Sequence, residues 1–436
     1  MHRDEHADEP VGDSGCTEYR QLSRRRFLST TARVSAAAAI FPAWLPKITL
    51  AKHYSASRDV MVSVFMRGGV DGLAMVIPFT DPLYYSLRPT IRTPAPDSLA
   101  ANKAIALDNF FAFPPAMQGL LPAYLEQDLL VMHAVGQLTN TSRSHFDAQR
   151  YMEVGKPLDP DLTSGWLGRH LASVPPINPQ AQLRGVGIGS GLAKTLVGGP
   201  KTLPIADPAN YTIGGAASTR PARSAFLAAD YAEANDPLKS SALDALNTID
   251  LLTSLNFNGY VPSNGVTYPN TSFGRALRAV AVLIKADVGI EAASVDIGGW
   301  DTHATQDPNA GQMFTSMLGF STALGAFWAD VIATDYPVTA VALSEFGRNA
   351  KENGSAGTDH GRATAMFAMG RQIAGGRVLT NGWPGLAPEQ LESRQDLRVT
   401  LDYRDVLAEI VARRLENSNL GFVFPSWTPT FRGVTR

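Results

Sequence analysis

Short, continuously apolar runs are the feature that most constrains this chain. In "DVMVSVFMRGGVDGLAMVIPF" (59–79), residues 60–65 are almost wholly apolar and are followed by paired glycines. A strand apolar at successive positions, rather than alternate ones, is covered on both faces, as in parallel sheets flanked by helices. "DLLVMHAVG" (128–136), "AQLRGVGIGSG" (181–191), "IEAASVDIGG" (290–299) and "VTAVALSEFGR" (338–348) repeat the pattern. Between them, "HFDAQRYMEVG" (145–155), "FGRALRAVAVLIKADVG" (273–289), "GQMFTSMLGFSTALGAFWADVIAT" (311–334) and "DYRDVLAEIVARRLE" (402–416) read as helices. Strands alternating with helices predict an α/β fold, a doubly wound, mostly parallel sheet with helices on both faces. Residues 198–270 are rich in Pro, Asn, Ser and Thr, with a helical stretch near 237–255, and read as a surface insertion or cap on a single domain spanning 52–436.

The first 51 residues read differently. Residues 1–22 are polar and predict no structure. Arg24 and Arg25 then precede Phe27, Leu28 and an Ala-rich, weakly apolar run over 34–45. That run is shorter than the ~20 apolar residues of a membrane span. Paired arginines before such a run predict a twin-arginine export signal, cleaved near Ala51, and a periplasmic or secreted protein with no membrane span after cleavage. The alternatives are an amphipathic N-terminal helix or an uncleaved anchor. The single cysteine, Cys16, lies in the removed segment. The mature chain then has no disulfide, thiol nucleophile or thiolate metal site, and any metal must be held by His, Asp, Glu or water. A formal net charge of −2 over 436 residues argues against a nucleic-acid partner.

In open α/β sheets, ligands bind outside the carboxyl ends of the strands. That rule selects Asp71 in "RGGVDGL", His145 in "NTSRSHFDAQ", Asp301 and His303 in "GGWDTH", and Glu345 and Arg348 in "SEFGR". Asp359 and His360 follow in "GTDHGRA". The chain has 8 histidines. His2, His6 and His53 lie in or beside the N-terminal extension, His133 within a strand and His170 on a helix, which leaves His145, His303 and His360 at strand ends. Carboxylates with imidazoles suit Zn, Mn or Fe; carboxylates alone suit Mg or Ca. Each piece also has a plainer reading: an Asp after a strand often caps a helix, "DHG" can be a turn, and Glu345 with Arg348 can be a rim salt bridge.

Several motifs together resemble a known family: "FMRGGVDGLAMVIPFTDPLYYSLRPTI", "SRSHFDAQRYME", "GWLGR", "DIGGWDTH", "SEFGR", "TDHG" and "DYRDVLAEI". From about residue 59 to 420 the chain resembles a large family of exported bacterial proteins, the domain of unknown function numbered fifteen-hundred-and-one. That family is similar to the alkaline phosphatase and sulfatase superfamily. The resemblance implies an alkaline phosphatase-like fold with paired metal sites. Asp71 would bind one metal, Asp301 and His303 the second, and Asp359 and His360 would divide between them. It implies a nucleophile in the "NTSRSHF" region: Ser144 first, then Ser142 and Thr141. Arg143 or Arg348 would bind a tetrahedral anion. Two departures stand out. No histidine follows His360, where the superfamily has one more metal ligand, so His145 or Glu345 would have to substitute. The sulfatase motif is missing around 140–145.

The resulting expectation is an exported metal-dependent hydrolase of phosphate or sulfate esters. It would use divalent Zn, Mn, Ca or Mg and a metal-activated Ser, Thr or water nucleophile. Its partners would be a small anionic ester and the twin-arginine export machinery. A second reading is a non-catalytic periplasmic binding or assembly protein with a degenerate alkaline phosphatase-like fold. A third is a carbohydrate or lipid-headgroup enzyme whose pocket is shaped by the 198–270 insertion.

Overall fold

The computed structural model describes residues 58–140 and 142–436. The segment expected to be an export signal lies outside the described residues, as do Cys16, His2, His6, His53 and Thr141. Twelve strands are present among them: β1 (Val60–Met66), β2 (Ile77–Pro78), β3 (Ile105–Ala106), β4 (Phe111–Phe113), β5 (Leu129–Gly136), β6 (Gly185–Ile188), β7 (Thr202–Pro204), β8 (Ala292–Ile297), β9 (Val338–Leu343), β10 (Thr364–Met369), β11 (Arg377–Leu379) and β12 (Leu401–Asp402).

Nine of them form the central sheet in the order β11-β5-β10-β9-β1-β8-β6-β7, with β12 also on β5. The β1–β8, β1–β9, β6–β8, β6–β7, β5–β11 and β5–β12 pairs are parallel. β10 runs antiparallel to both β9 and β5. The sheet is therefore mostly parallel, as the apolar runs predict. β2, β4 and β3 make a separate three-stranded antiparallel sheet.

β1 shows why a strand without alternation is needed here. All seven of its residues are buried. Val60, Val62, Val64 and Met66 belong to one core with the helices Ser272–Lys285 and Gln312–Asp330. Met61 and Phe65 belong to the other core, with the helices Trp166–Ser173 and Tyr403–Arg413. Successive side chains point to opposite faces of a strand, so both sets must be apolar. Burying each such side chain contributes about 1.5–3 kcal/mol. His133 is fully buried in β5, and His170 is buried in its helix.

The helix His145–Val154 ends at Gly155, whose φ of 67° is the left-handed conformation that terminates helices. Residues 344–363, between β9 and β10, close on themselves. A Cβ at Gly347 would stand 1.8 Å from the Ala363 carbonyl oxygen, so only glycine fits there.

Residues 58–211 and 247–436 belong to one compact unit, and Thr212–Leu246 to another. The latter holds the helix Arg220–Ala232 and the start of the helix Leu238–Ser254. β7, within the stretch expected to be an insertion, is an edge strand of the central sheet.

Candidate metal centre

The carboxyl ends of four strands deliver most of the predicted residues to one rim. β1 leads to Gly68 and Asp71, β5 to His145, β8 to Asp301 and His303, and β9 to Glu345 and Arg348. Asp359 and His360 reach the same rim by another route. They precede β10, which begins at that edge because it runs antiparallel. An isolated bridge sets His360 opposite Arg348. The "GGWDTH" loop is pinned from below by Trp300, which is fully buried, packs edge-on against Phe320 and donates its indole N–H to the Ile297 carbonyl at 3.1 Å.

The hydrogen bonds at Nδ1 determine which nitrogen of each imidazole is bare. Nδ1 of His145 lies 2.8 Å from Glu345 Oε1, Nδ1 of His303 lies 3.2 Å from Asp359 Oδ1, and Nδ1 of His360 lies 2.9 Å from the Arg143 carbonyl oxygen. Carboxylate and carbonyl oxygens accept, so each Nδ1 donates and each neutral ring keeps an unprotonated Nε2. Nε2 of His360 lies between the other two, 3.1 Å from Nε2 of His145 and 3.0 Å from Nε2 of His303. Asp301 completes the group. Its Oδ1 is 3.0 Å from Nε2 of His303 and 3.2 Å from Nε2 of His360, and its Oδ2 is 3.6 Å from Nε2 of His145.

Bare nitrogens this close repel unless a positive charge stands between them. Around a tetrahedral ion with bonds of 2.0–2.1 Å, neighbouring ligand atoms lie about 3.3 Å apart. The spacings from His360 and Asp301 to their neighbours, 3.0–3.6 Å, bracket that value. Among the described residues, His145, Asp301 and His360 form a group whose ligand atoms all lie within 4.8 Å of one another. An imidazole whose other nitrogen donates to a carboxylate or carbonyl is also the arrangement of metal-ligating histidines. The residues therefore fit a divalent cation.

The charges around the group are strongly coupled. Burial opposes ionisation of Asp301, but Arg348, whose Nη2 donates to Oδ1 at 2.6 Å, overcomes it and holds the carboxyl at about 2. The hydrogen bond that His145 donates to Glu345 raises the pKa of His145. Burial lowers that of His360. Glu345 is itself buried, which favours its neutral form. The hydrogen bonds from His145 and Gln149 prevail and keep it below the usual carboxylate range. Its Oε1 also accepts from the Gly68 N–H at 2.9 Å, and its Oε2 from the Ser344 hydroxyl at 2.9 Å. Asp359 is lowered chiefly by the Asn353 amide, 3.2 Å away. Asp301, His303 and Asp359 are exposed and the other histidines partly so, which leaves the centre open to solvent.

Other predicted residues occupy different positions. Asp71 is buried, and its Oδ2 accepts from Arg88 and Gln306, each at 2.5 Å. Arg348 is also buried. Besides Asp301, it donates to the carbonyls of Gly68, Gly69, Trp300 and Thr358, and its Nη1 lies 3.4 Å from Nε2 of His303, so its guanidinium holds the rim loops together. The Arg143 side chain pairs with Asp396. Ser144 is exposed at the N-cap of the helix His145–Val154 and makes no side-chain cap bond. The Ser142 hydroxyl accepts from the Ser144 N–H at 3.2 Å.

Sequence reasoning did not single out Gln149, Gln306, Asn353 or Asp396. Gln306 links Asp71 to the rim, since its Oε1 accepts from the hydroxyls of Thr302 (3.1 Å) and Thr358 (2.7 Å). Gln149 and Gln306 are uncharged amides outside glycine-marked loops and carry no sequence signal for such a role.

The profile of the family described as Protein of unknown function (DUF1501) matches residues 58–422, and the chain belongs to that family. No curated protein matches it significantly. Among solved structures, it is similar to the zinc complex of the C-terminal periplasmic domain of EcEptC from Escherichia coli. That match has 9% identity and a TM-score of 0.34, and covers 73% of this chain and 75% of that one. It is also similar to alkaline phosphatase from the Antarctic bacterium TAB5, with 11% identity and a TM-score of 0.33, over 83% of this chain and 100% of that one.

Proposed function

We propose that this DUF1501 member is an exported, metal-dependent hydrolase of phosphate or sulfate esters. One observation carries the reading: three imidazoles, each backed at Nδ1 by an acceptor, cluster beside Asp301, with Nε2 of His360 close to Nε2 of both His145 and His303. His145, Asp301, His303 and His360 would hold the cation. Three nitrogens and one carboxylate suit Zn, Mn or Fe better than Mg or Ca. A divalent cation in such a site activates a water or hydroxyl nucleophile and neutralises charge on the transferring group.

The chain's own residues do the rest. Glu345 and Asp359 fix two of the rings, and Arg348 keeps Asp301 ionised and aimed. Ser144 stays the first candidate for a protein nucleophile. It adjoins His145, is exposed, and spends no hydroxyl bond on capping its helix. Ser142 is second. With Arg143 and Arg348 engaged elsewhere, an incoming anion would meet the cation and the open amino end of the helix His145–Val154.

The test is metal analysis of the mature protein purified from the periplasm without added metal, followed by a panel of phosphate and sulfate esters. Near-stoichiometric metal, lost in Asp301→Ala and His360→Ala, with metal-dependent turnover of one ester class, supports the proposal. Full metal content in both variants would sink it. Recovery of a chain shortened by about its first 51 residues tests the twin-arginine reading of Arg24 and Arg25.

A second reading, a metal-holding but non-catalytic binding protein, is favoured by one observation. Both candidate anion-binding arginines are already paired. Stoichiometric metal without turnover of any ester would select it.

A further inference from the structure

Asp396 lies far along the chain from every predicted site residue, and it is 1% exposed. One of its oxygens pairs with the Arg143 guanidinium. The other accepts from the Asn349 amide at 2.5 Å, with that amide turned so that its nitrogen faces acceptors. The same amide nitrogen donates to the His360 carbonyl at 3.1 Å. Arg143 in turn offers its backbone carbonyl to His360 Nδ1 at 2.9 Å. The contacts close a ring: Asp396 holds Arg143, Arg143 holds the His360 imidazole, and Asn349 ties the His360 backbone back to Asp396.

The energetics argue that this ring does more than clip a loop. A half-exposed arginine paired with a surface acid contributes little to stability. A carboxylate removed from water is costly unless it is paired and hydrogen-bonded. Here the buried partner is the acid, while the Arg143 side chain stays 40% exposed. A loop clip does not require that expense. The arrangement does fix the one Nδ1 acceptor of the centre that is not a carboxylate. His145 and His303 are oriented by acidic side chains, whereas His360 depends on a backbone carbonyl, that of Arg143. That carbonyl has no charge of its own to hold the ring, so its position must be set from elsewhere.

We propose that Asp396 is a positioning residue for the metal centre, acting through Arg143 and Asn349 to hold His360 Nε2 towards the cation. The inference rests on the metal reading above. Outer partners of metal-bound histidines typically change affinity by about 10–100-fold when removed.

The test uses Co²⁺ alone as the probe, on the full mature chain. Its affinity and visible absorption are compared in wild type, Asp396→Asn, Arg143→Ala and the double variant, with the melting temperature of each metal-free protein alongside. The expected result is Co²⁺ binding about 10–100-fold weaker in each single variant, with a changed visible spectrum. The double variant should be no weaker than the singles, because both remove one relay. Arg143→Ala alters a partly exposed side chain and keeps the test sound if Asp396→Asn folds poorly. Wild-type affinity and spectrum in Arg143→Ala, or losses that add in the double variant, would overturn this inference and leave the metal reading intact. A wild-type chain that binds no Co²⁺ would overturn both.

Discussion

At the scale of single residues, the same sequence cue leads to two outcomes. Asp71 and Asp301 both follow glycines at the end of a buried parallel strand. Asp301 is half exposed and faces three imidazoles, whereas Asp71 is buried against Arg88. Arg88 stands 17 residues further along, and its other donors go to the carbonyls of Asn349 and Ala350. No local pattern announces that meeting, because it depends on how the 72–88 segment folds back. The four residues that gather at the rim, His145, Asp301, His303 and His360, were legible as a group, since acids and imidazoles at predicted strand ends are rare enough to stand out. The amides and the carbonyl that orient them were not, since any residue can supply a carbonyl. If Asp71 is a structural ion-pair partner, Arg88→Met leaves a buried carboxylate uncompensated and destabilises the fold by about 3–5 kcal/mol. Denaturant titration should show that loss, while the folded variant keeps wild-type Co²⁺ affinity. A large loss of Co²⁺ affinity in a folded Arg88→Met protein would instead tie Asp71 to the cation.

At the scale of elements, the long strands and helices follow from periodicity and the direction of β10 does not. A strand buried on both faces reads the same in either direction, so the apolar run 364–369 says nothing about polarity. Reversal of β10 brings Asp359 and His360 to the rim from the amino end of a strand, which a rule about carboxyl ends does not foresee. β7, β11 and β12 are two or three residues long and carry no periodic signal. Glycine positions were legible as turns, but not their neighbours. Gly68 has φ 125°, and a Cβ there would stand 2.7 Å from the Asp301 backbone nitrogen. Gly68→Ala should therefore cost about 1–3 kcal/mol in backbone strain and also displace Asp301. The expected outcome is a folded protein with a lower melting temperature and weakened metal binding. Unchanged metal binding would mean that the β1 and β8 loops adjust independently.

At the scale of the whole molecule, two buried histidines away from the centre set a pH response. Burial lowers the pKa of His133 to about 4 and that of His170 to about 3. The unfolded chain binds these protons near 6.5. As pH falls below that value, the unfolded state takes up protons that the folded state refuses, so stability drops, by up to about 1.4 kcal/mol per pH unit for each group. The loss runs from about pH 6.5 down towards the folded values. His170→Gln should remove one share. Measured without metal, the stability gap between wild type and variant should shift by about 1.6 kcal/mol in the variant's favour between about pH 6.5 and 5. A gap constant with pH would mean that His170 titrates normally in the folded protein. The central claim is that the rim holds a cation, and elemental mass spectrometry of the protein, purified without added metal, tests it most directly. Near-stoichiometric Zn, Mn or Fe in wild type, and its loss in a folded Asp301→Ala variant, is the predicted result. A folded wild-type protein that carries no metal and gains no thermal stability from any added divalent ion would contradict it.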